Sequence, residues 1–312
     1  MRPSRPNRRE MMLSSLGAAA GLAAFGGCAS SDRRPSEDNE VHDCGLRIAI
    51  CDWTLGKMTD PAAFDAAQRL GVGGLQVDFG TAESNLPILH DPQVQKRYLG
   101  LSKTHSVRIA SFAMCALSGA PLKSDPRSRQ WVEEGIDVCR AMGVQTILIP
   151  FFGAADLAKD KQGRQIVAER LKEIAPKAEQ AGVVLGIESW LSAEEHLEII
   201  AGAGSPAVQV YYDVANSHKA GHDIYQEIRS LGRHICEVHA KDYDGPFGKG
   251  SIDFAEVRRA LDDIGYRGWI VFESSLWQPT ATIPPELEAG FLYDIAYLRS
   301  LFPQIRQGES RV

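Results

Sequence analysis

The feature that most restricts the fold of this chain is a strand-like run followed by a helix-like segment, a unit that repeats eight times from residue 46 onward. Each run is short and apolar, and successive runs begin about 25 to 40 residues apart. The runs occupy residues 47 to 53, 74 to 79, 107 to 114, 146 to 152, 183 to 190, 208 to 215, 235 to 242 and 269 to 275. Strict alternation of this kind predicts a parallel sheet with right-handed crossovers. Eight units within about 250 residues predict a closed (β/α)8 barrel rather than an open doubly wound sheet.

The segments between the runs carry the signals of helix ends. Asp60-Pro61 and Asp125-Pro126 each place a capping residue before a proline at the first helical position. Ser192 and Glu195 have the spacing of a capping box. The last helix, roughly residues 285 to 301, is expected to close the ring of this α/β fold, a TIM barrel. Glycines stand where helices should stop, at Gly71, Gly143, Gly182, Gly232 and Gly265.

Four segments are predicted along the chain. Residues 1 to 28 are interpreted as an export signal, with the pair Arg8-Arg9, an apolar stretch and small residues before Cys28. The pair resembles a twin-arginine signal, and the end of the segment resembles a lipoprotein cleavage box. Residues 29 to 45 are predicted to be a flexible tether, 46 to 302 the barrel and 303 to 312 a C-terminal tail. We therefore expect an exported protein of the periplasm or cell envelope, with lipidated Cys28 as its membrane anchor.

Charge and cysteine spacing exclude several classes of partner. The net charge is -6 and the isoelectric point near 5.8, so no nucleic acid partner is expected. The glycine-rich stretch at residues 71 to 76 precedes a strand rather than a helix, which argues against a dinucleotide-binding loop. Cysteine spacing predicts neither a zinc site nor a disulfide framework. A homo-oligomer is compatible with the sequence, which does not fix the oligomeric state.

Four consecutive strand-like runs in the second half each end on a side chain that can bind a metal. Because the active site of such a barrel forms at the carboxyl ends of the strands, these side chains are expected to meet. Three carboxylates and one imidazole favour one divalent cation, Mn²⁺ or Mg²⁺, with Co²⁺ and Zn²⁺ as alternatives. The predicted ligands are Glu188, Asp213, His239 and Glu273.

The first and last of these ligands suggest a reaction. Glu188 and Glu273 belong to strands three steps apart in a ring of eight, so they are expected to face each other across the barrel axis. Two opposed carboxylates can remove a proton next to a carbonyl and return it, through an enediolate that a metal stabilises. Return to the other face inverts a stereocentre, and return to the neighbouring carbon interconverts aldose and ketose. Both glutamates are therefore predicted to be catalytic.

The motifs HAKD, GxGSIDF and IGYRGWIVFE resemble those of the sugar phosphate isomerase/epimerase superfamily of xylose isomerase-like barrels, over residues 46 to 302. The resemblance implies a small sugar or keto-sugar substrate, Glu188 and Glu273 as ligands and acid/base pair, and Asp213 and His239 as the other ligands. Many ketose epimerases of this family carry a histidine where this chain has Asn216, and here His218 is displaced. This departure, with the lack of an arginine after the seventh strand, argues against a free-ketose 3-epimerase.

Further side chains near the strand ends are candidates for substrate binding. Lys241 is expected either to bind a substrate oxygen or phosphate, or to be a surface lysine with a solvated head. Asp52 and Asp78 are expected either to bind substrate hydroxyls or to cap the loops that follow them. The remaining substrate candidates are Asn216, His218 and the sugar-stacking aromatics Trp53 and Trp190, with Trp277 also near a strand end.

Three functions follow from this site. The leading hypothesis is a metal-dependent isomerase or epimerase of a sugar or polyol-derived ketone. The second is a dehydratase or other lyase, in which the enediolate expels a hydroxyl group. The third is a non-catalytic exported barrel that binds carbohydrate.

Overall fold

The computed structural model describes residues 47–80, 88–274 and 283–302. The predicted export signal, tether and tail lie outside these residues, and so do Arg8, Arg9, Cys28 and Trp277.

The strands of the described chain form a closed parallel barrel in sequence order, and the predicted (β/α)8 fold is confirmed. Every strand pairs in parallel with the next, and β8 pairs with β1 to close the ring. The strands are β1 Arg47–Cys51, β2 Gly74–Asp78, β3 Arg108–Ala113, β4 Thr146–Pro150, β5 Val184–Glu188, β6 Val208–Asp213, β7 Ile235–Ala240 and β8 Trp269–Phe272.

Helices follow the strands and cover the barrel, as the alternation predicts. Asp125 accepts a hydrogen bond from Arg127 N and begins α3, while Ser192 and Glu195 form the predicted capping box at α5. The helices of the described residues are α1 Ala63–Leu70, α2 Pro92–His105, α3 Pro126–Met142, α4 Lys161–Ala181, α5 Ala193–Ala203, α6 Val214–Lys219, α7 Ile224–Leu231, α8 Phe254–Asp263 and α9 Pro285–Leu301.

Two predicted boundaries are wrong. The first helix begins at Ala63 rather than at Pro61, because the Asp60 carboxylate accepts a hydrogen bond from Ala62 N and closes a turn before the helix. The strands end one to three residues earlier than the apolar runs do, since the last residues of each run enter the loops. Glu273 consequently follows β8, although its N–H still donates to Ala240 O at 3.0 Å and continues the ladder.

The barrel interior is filled from its amino-terminal mouth upward. Trp269 lies against Gly74 on β2, where a Cβ atom would stand 2.6 Å from the indole, so only glycine fits. Arg47 and Arg108 place their guanidinium groups over the same indole, at 5.6 and 5.7 Å from its centre. The middle of the barrel holds small and polar side chains, and the carboxyl end holds the predicted ligands. No helix within the described ranges has both the length and the apolarity to cross a membrane.

Candidate active site and metal centre

The structure brings the four predicted metal ligands together at the carboxyl ends of β5 to β8. One donor atom from each of the four lies within 4.8 Å of the others. His239 Nδ1 is at the centre, 3.0 Å from Glu188 Oε1, 3.5 Å from Glu273 Oε2 and 3.9 Å from Asp213 Oδ2. The parallel register pairs Asp213 with His239, which sets these two side chains at the same height.

The start of α6 fixes the carboxylate of Asp213. Its Oδ1 accepts hydrogen bonds from Ala215 N at 2.8 Å and Asn216 N at 2.9 Å, as a helix N-cap does. Its Oδ2 therefore points into the cluster, where it is buried and accepts no hydrogen bond from any described residue. A buried carboxylate oxygen without a hydrogen bond is costly unless a cation neutralises it.

Lys241 adds a positive charge beside the cluster. Its Nζ lies 2.6 Å from Glu273 Oε2 and 2.9 Å from Asp213 Oδ2, the second contact lacking the geometry of a hydrogen bond. Only 7% of the residue is exposed, so the alternative of a solvated surface lysine is wrong. Burial works against its charge, but Asp213 and Glu273 outweigh burial and raise the pKa of Lys241 well above its usual range.

The two glutamates have different electrostatic environments. Burial raises the pKa of Glu188, although the nearby His239 opposes this change. Burial also acts on Glu273, but the charges of Lys241 and His239 outweigh it and lower the pKa of this carboxyl. Trp53 supports the ionised form by donating its indole N–H to Glu273 Oε1 at 2.9 Å. Opposite shifts in a facing pair are typical of an acid and a base in one site.

The donor set fits one divalent cation. Three carboxylates and an imidazole nitrogen converge, and Asp213 Oδ2 has an unsatisfied lone pair that a cation would use. Oxygen-rich sites with one histidine suit Mn²⁺ or Mg²⁺, whereas softer ions prefer more nitrogen and sulfur.

A cavity of about 240 Å³ opens above the cluster. Its polar end contains Glu188, Glu273, Asn216 and Lys241, and the remaining wall is largely apolar. Trp190 packs edge to face on Phe152 in this wall, with ring centres 5.4 Å apart. The described residues that line it are Trp53, Met58, Cys115, Ser118, Leu148, Pro150, Phe152, Glu188, Trp190, Asn216, Lys241, Tyr243 and Glu273.

Four of the five predicted substrate-binding residues line this cavity, and His218 does not. Asn216 lies under its rim, where it accepts a hydrogen bond from Tyr243 OH at 2.7 Å and directs its amide toward Glu188 Oε1 at 3.5 Å. Trp53 both lines the cavity and holds Glu273. The structure places His218 on the exposed side of α6, apart from the described lining residues.

Asp52 and Asp78 act as loop caps. Asp52 Oδ2 accepts hydrogen bonds from Thr59 N and Asp78 N, both at 3.0 Å. Asp78 accepts from Gly80 N at 2.9 Å and Cys115 N at 3.2 Å. Of the two alternatives predicted for this pair, loop capping is therefore the one that the contacts support.

The sequence reasoning missed a group of polar residues inside the barrel, below His239. Gln76, Ser111, Tyr211 and Glu237 are all buried there and joined by hydrogen bonds. Each lies inside a strand, between two hydrophobic chain neighbours. A polar residue in the middle of such a strand is the signal that could have identified them, because a buried polar group needs a partner.

Fold and site together define a class of protein. It is a TIM barrel that gathers three carboxylates and one imidazole at the carboxyl ends of four consecutive strands, beneath a cavity of about 240 Å³.

The chain belongs to the xylose isomerase-like TIM barrel family, whose sequence model matches residues 64–301. The predicted membership of the sugar phosphate isomerase/epimerase superfamily is thereby confirmed.

Named relatives within this family are distant. The L-ribulose-5-phosphate 3-epimerase UlaE of Shigella flexneri is 24% identical over 235 residues, which are 70% of this chain and 82% of that protein. SgbU of Escherichia coli is 27% identical over 181 residues, 51% of this chain and 60% of that relative's own length. The structure of D-psicose 3-epimerase with D-tagatose from Clostridium cellulolyticum has a TM-score of 0.68 at 16% identity, covering 82% of this chain and 99% of that chain. The likeness to this last protein shows the fold alone.

Proposed function

We propose that this chain is a divalent-metal-dependent epimerase or isomerase of a sugar or polyol-derived ketone. The observation that carries the proposal is the pair Glu188 and Glu273, which belong to one cluster of four potential metal ligands and border one cavity. Relatives that are L-ribulose-5-phosphate 3-epimerases by name support the same chemistry.

Glu188, Asp213, His239 and Glu273 would hold the ion. When bound, a divalent ion supplies positive charge that stabilises the oxyanion of an enediolate. The chain's own residues then bind and orient the substrate over the cluster, and the apolar wall of the cavity excludes water from it.

The two glutamates would move the proton. Glu273, kept ionised by Lys241, accepts the proton from the carbon next to the carbonyl. Glu188, whose pKa is raised by burial, returns a proton to the opposite face or to the neighbouring carbon. In the reverse reaction the two roles exchange, so one site serves both directions.

The compounds to be tested as substrates are chosen from the cavity lining and from the names of the relatives. Among the described residues that line the cavity, Lys241 is the one cation, and its ammonium is held by Glu273. A screen should therefore contain free ketoses, keto-sugars and inososes beside their phosphorylated counterparts.

The experiment is proton exchange in deuterated water with the Mn²⁺-loaded protein. A productive substrate should gain deuterium on the carbon next to the carbonyl. The Glu273→Gln variant keeps an oxygen ligand but cannot accept a proton, so exchange should fall by ~10²-fold or more while substrate still binds.

Mass analysis of the product separates the three functions. An epimerase or isomerase returns a product of unchanged mass apart from the label, and a lyase returns one that has lost water. A carbohydrate-binding protein shows affinity without exchange. Exchange at the wild-type rate in both Glu188→Gln and Glu273→Gln would refute the assignment of the catalytic pair.

A further inference from the structure

A column of polar side chains runs through the barrel interior from His239 toward the amino-terminal mouth. Gln76 of β2 is fully buried, and its Oε1 lies 2.7 Å from His239 Nε2. Its Nε2 lies 3.1 Å from Ser111 Oγ and 2.9 Å from Tyr211 OH. The column ends at Glu237 of β7, whose Oε2 is 2.7 Å from Ser111 Oγ.

Donor counting gives the amide of Gln76 one orientation. When Glu237 is ionised, the Ser111 hydroxyl donates its single hydrogen to that carboxylate, so it can only accept from Gln76. The group of Gln76 that faces Ser111 and Tyr211 must therefore be its NH₂, and its carbonyl oxygen must face His239. Cys51 Sγ, 3.2 Å from the same oxygen, supports this orientation because a thiol donates to a carbonyl.

The orientation of the amide determines the histidine. A carbonyl oxygen accepts but cannot donate, so His239 Nε2 carries a hydrogen and donates it to Gln76. The lone pair of the neutral ring then belongs to Nδ1, the nitrogen that faces Glu188, Asp213 and Glu273. Nδ1 is the ligand atom that the cluster requires.

We propose that Gln76 is a positioning residue of the metal centre. Its amide, oriented by Ser111 and Tyr211 against Glu237, holds His239 in the tautomer whose Nδ1 binds a divalent cation. The inference rests on the proposed function, since it needs the four-residue cluster to be a metal site. An outer partner of a metal-binding histidine commonly contributes about 10- to 100-fold in metal affinity.

The chain of hydrogen bonds from Glu237 through Ser111 and Gln76 to His239 is called the relay below. The variant that tests it is Gln76→Met, which has a similar volume and makes no hydrogen bond to His239. The primary measurement is the dissociation constant of Mn²⁺, obtained by titration against a competing chelator. A second measurement is the tautomer of His239 in the chelator-treated protein, at a pH where the ring is neutral, from long-range proton–nitrogen NMR with labelled histidine. We expect the dissociation constant to rise about 10- to 100-fold and the Nε2-protonated form to lose its dominance.

Thr146→Val is the matched control. Thr146 is another buried hydroxyl that acts on Glu237, but it has no place on the path from Glu237 to His239. This variant should lose stability and keep the Mn²⁺ dissociation constant of the wild type. Should Gln76→Met not fold, the double variant Ser111→Ala, Tyr211→Phe removes both acceptors of the amide and should weaken Mn²⁺ binding in the same direction.

Each outcome of these measurements either supports or overturns the role proposed for Gln76. A Gln76→Met protein that melts earlier but binds Mn²⁺ with unchanged affinity has lost only a structural hydrogen bond, which overturns the relay and leaves the proposed function intact. A wild-type protein that does not bind Mn²⁺ overturns the metal centre, and the relay with it. Weaker binding accompanied by loss of the Nε2-protonated form supports the relay.

Discussion

Lys241 Nζ lies 2.6 Å from Glu273 Oε2, so an ammonium group neutralises part of the carboxylate cluster in which the cation would bind. Asp213 Oδ2, at 2.9 Å from the same nitrogen, shares this charge. A divalent cation held by this cluster would therefore lie next to an internal ammonium group, and the two would repel each other.

Removing this ammonium group should lower the stability of the metal-free protein and strengthen the binding of Mn²⁺. In Lys241→Met without metal, the carboxylates lose a buried partner, and the free energy of unfolding should fall by about 3 to 5 kcal/mol. Mn²⁺ should bind roughly tenfold more tightly or better, because a positive charge near its ligands has gone. Melting temperatures with chelator and with Mn²⁺ measure both effects.

The control for this variant is Lys219→Met. Lys219 is an exposed lysine whose Nζ lies 4.4 Å from the centre of the Tyr243 ring, close to the cavity but away from the carboxylates. The Lys219→Met substitution should change neither the free energy of unfolding nor the affinity for Mn²⁺. Unchanged or weaker Mn²⁺ binding in Lys241→Met would show that the ammonium assists the metal rather than competing with it.

Loss of a single ligand should remove the metal and keep the barrel. Asp213→Asn and His239→Ala each delete one donor from a set of four, which weakens the ion's affinity far more than it disturbs the surrounding core. Elemental analysis of the purified variants should find little divalent metal, against about one ion per wild-type chain, with unchanged circular dichroism. Asp52→Asn, a buried loop-capping carboxylate at the end of β1, should retain the ion. Full metal content in both ligand variants would contradict the proposed centre.

The sequence predicted the barrel and the candidate metal cluster because both depend on local pattern. Alternating units determine the order of strands, and the closed parallel ring then brings the ends of β5 to β8 side by side. Glu188 and His239 are 51 residues apart in the chain, yet the ring places their donor atoms at 3.0 Å.

What the sequence could not predict depends on contacts across the ring. Whether Lys241 is solvated or buried depends on how far Glu273 reaches from the neighbouring strand. The partnership of Gln76 with His239 crosses the barrel axis between β2 and β7, so no spacing within a strand indicates it. The exposed position of His218 follows from the early start of α6, which the Asp213 cap causes.

Trp53 should contribute to the reaction through its indole N–H. Trp53→Phe keeps an aromatic wall but removes the hydrogen bond to Glu273 Oε1 at 2.9 Å. Because this hydrogen bond positions the Glu273 carboxylate, its loss should lower kcat by about 10- to 100-fold with a small change in KM. The exchange assay in deuterated water measures this once a substrate is known.

Trp190→Phe is the matched comparison for this indole. Trp190 lines the same cavity and packs on Phe152, and the hydrogen bond to Glu273 does not involve it. Its effect should appear in KM rather than in kcat. Equal losses of kcat in the two variants would show that Trp53 acts only as part of the wall.

His196 should make the stability of the barrel depend on pH independently of the metal. This residue is buried on α5, where Nδ1 donates to Ser192 O at 3.0 Å and Nε2 accepts from Ser189 Oγ at 2.9 Å. Burial disfavours the imidazolium and lowers the pKa of His196 to about 4. In the unfolded chain a histidine has a pKa of about 6.5.

The sign of the effect follows from proton counting. Between pH 6.5 and pH 4 the unfolded chain binds a proton at His196 that the folded chain does not, so the contribution is complete above pH 6.5 and is lost as the pH falls toward 4. The free energy of unfolding should therefore drop by about 2 kcal/mol between pH 8 and pH 5 through this residue alone. Urea unfolding with chelator present, in wild type and in His196→Gln, measures it as the difference between the two slopes against pH. The exposed His218→Gln should keep the wild-type slope, and an equally steep slope in His196→Gln would assign the acid sensitivity to other groups.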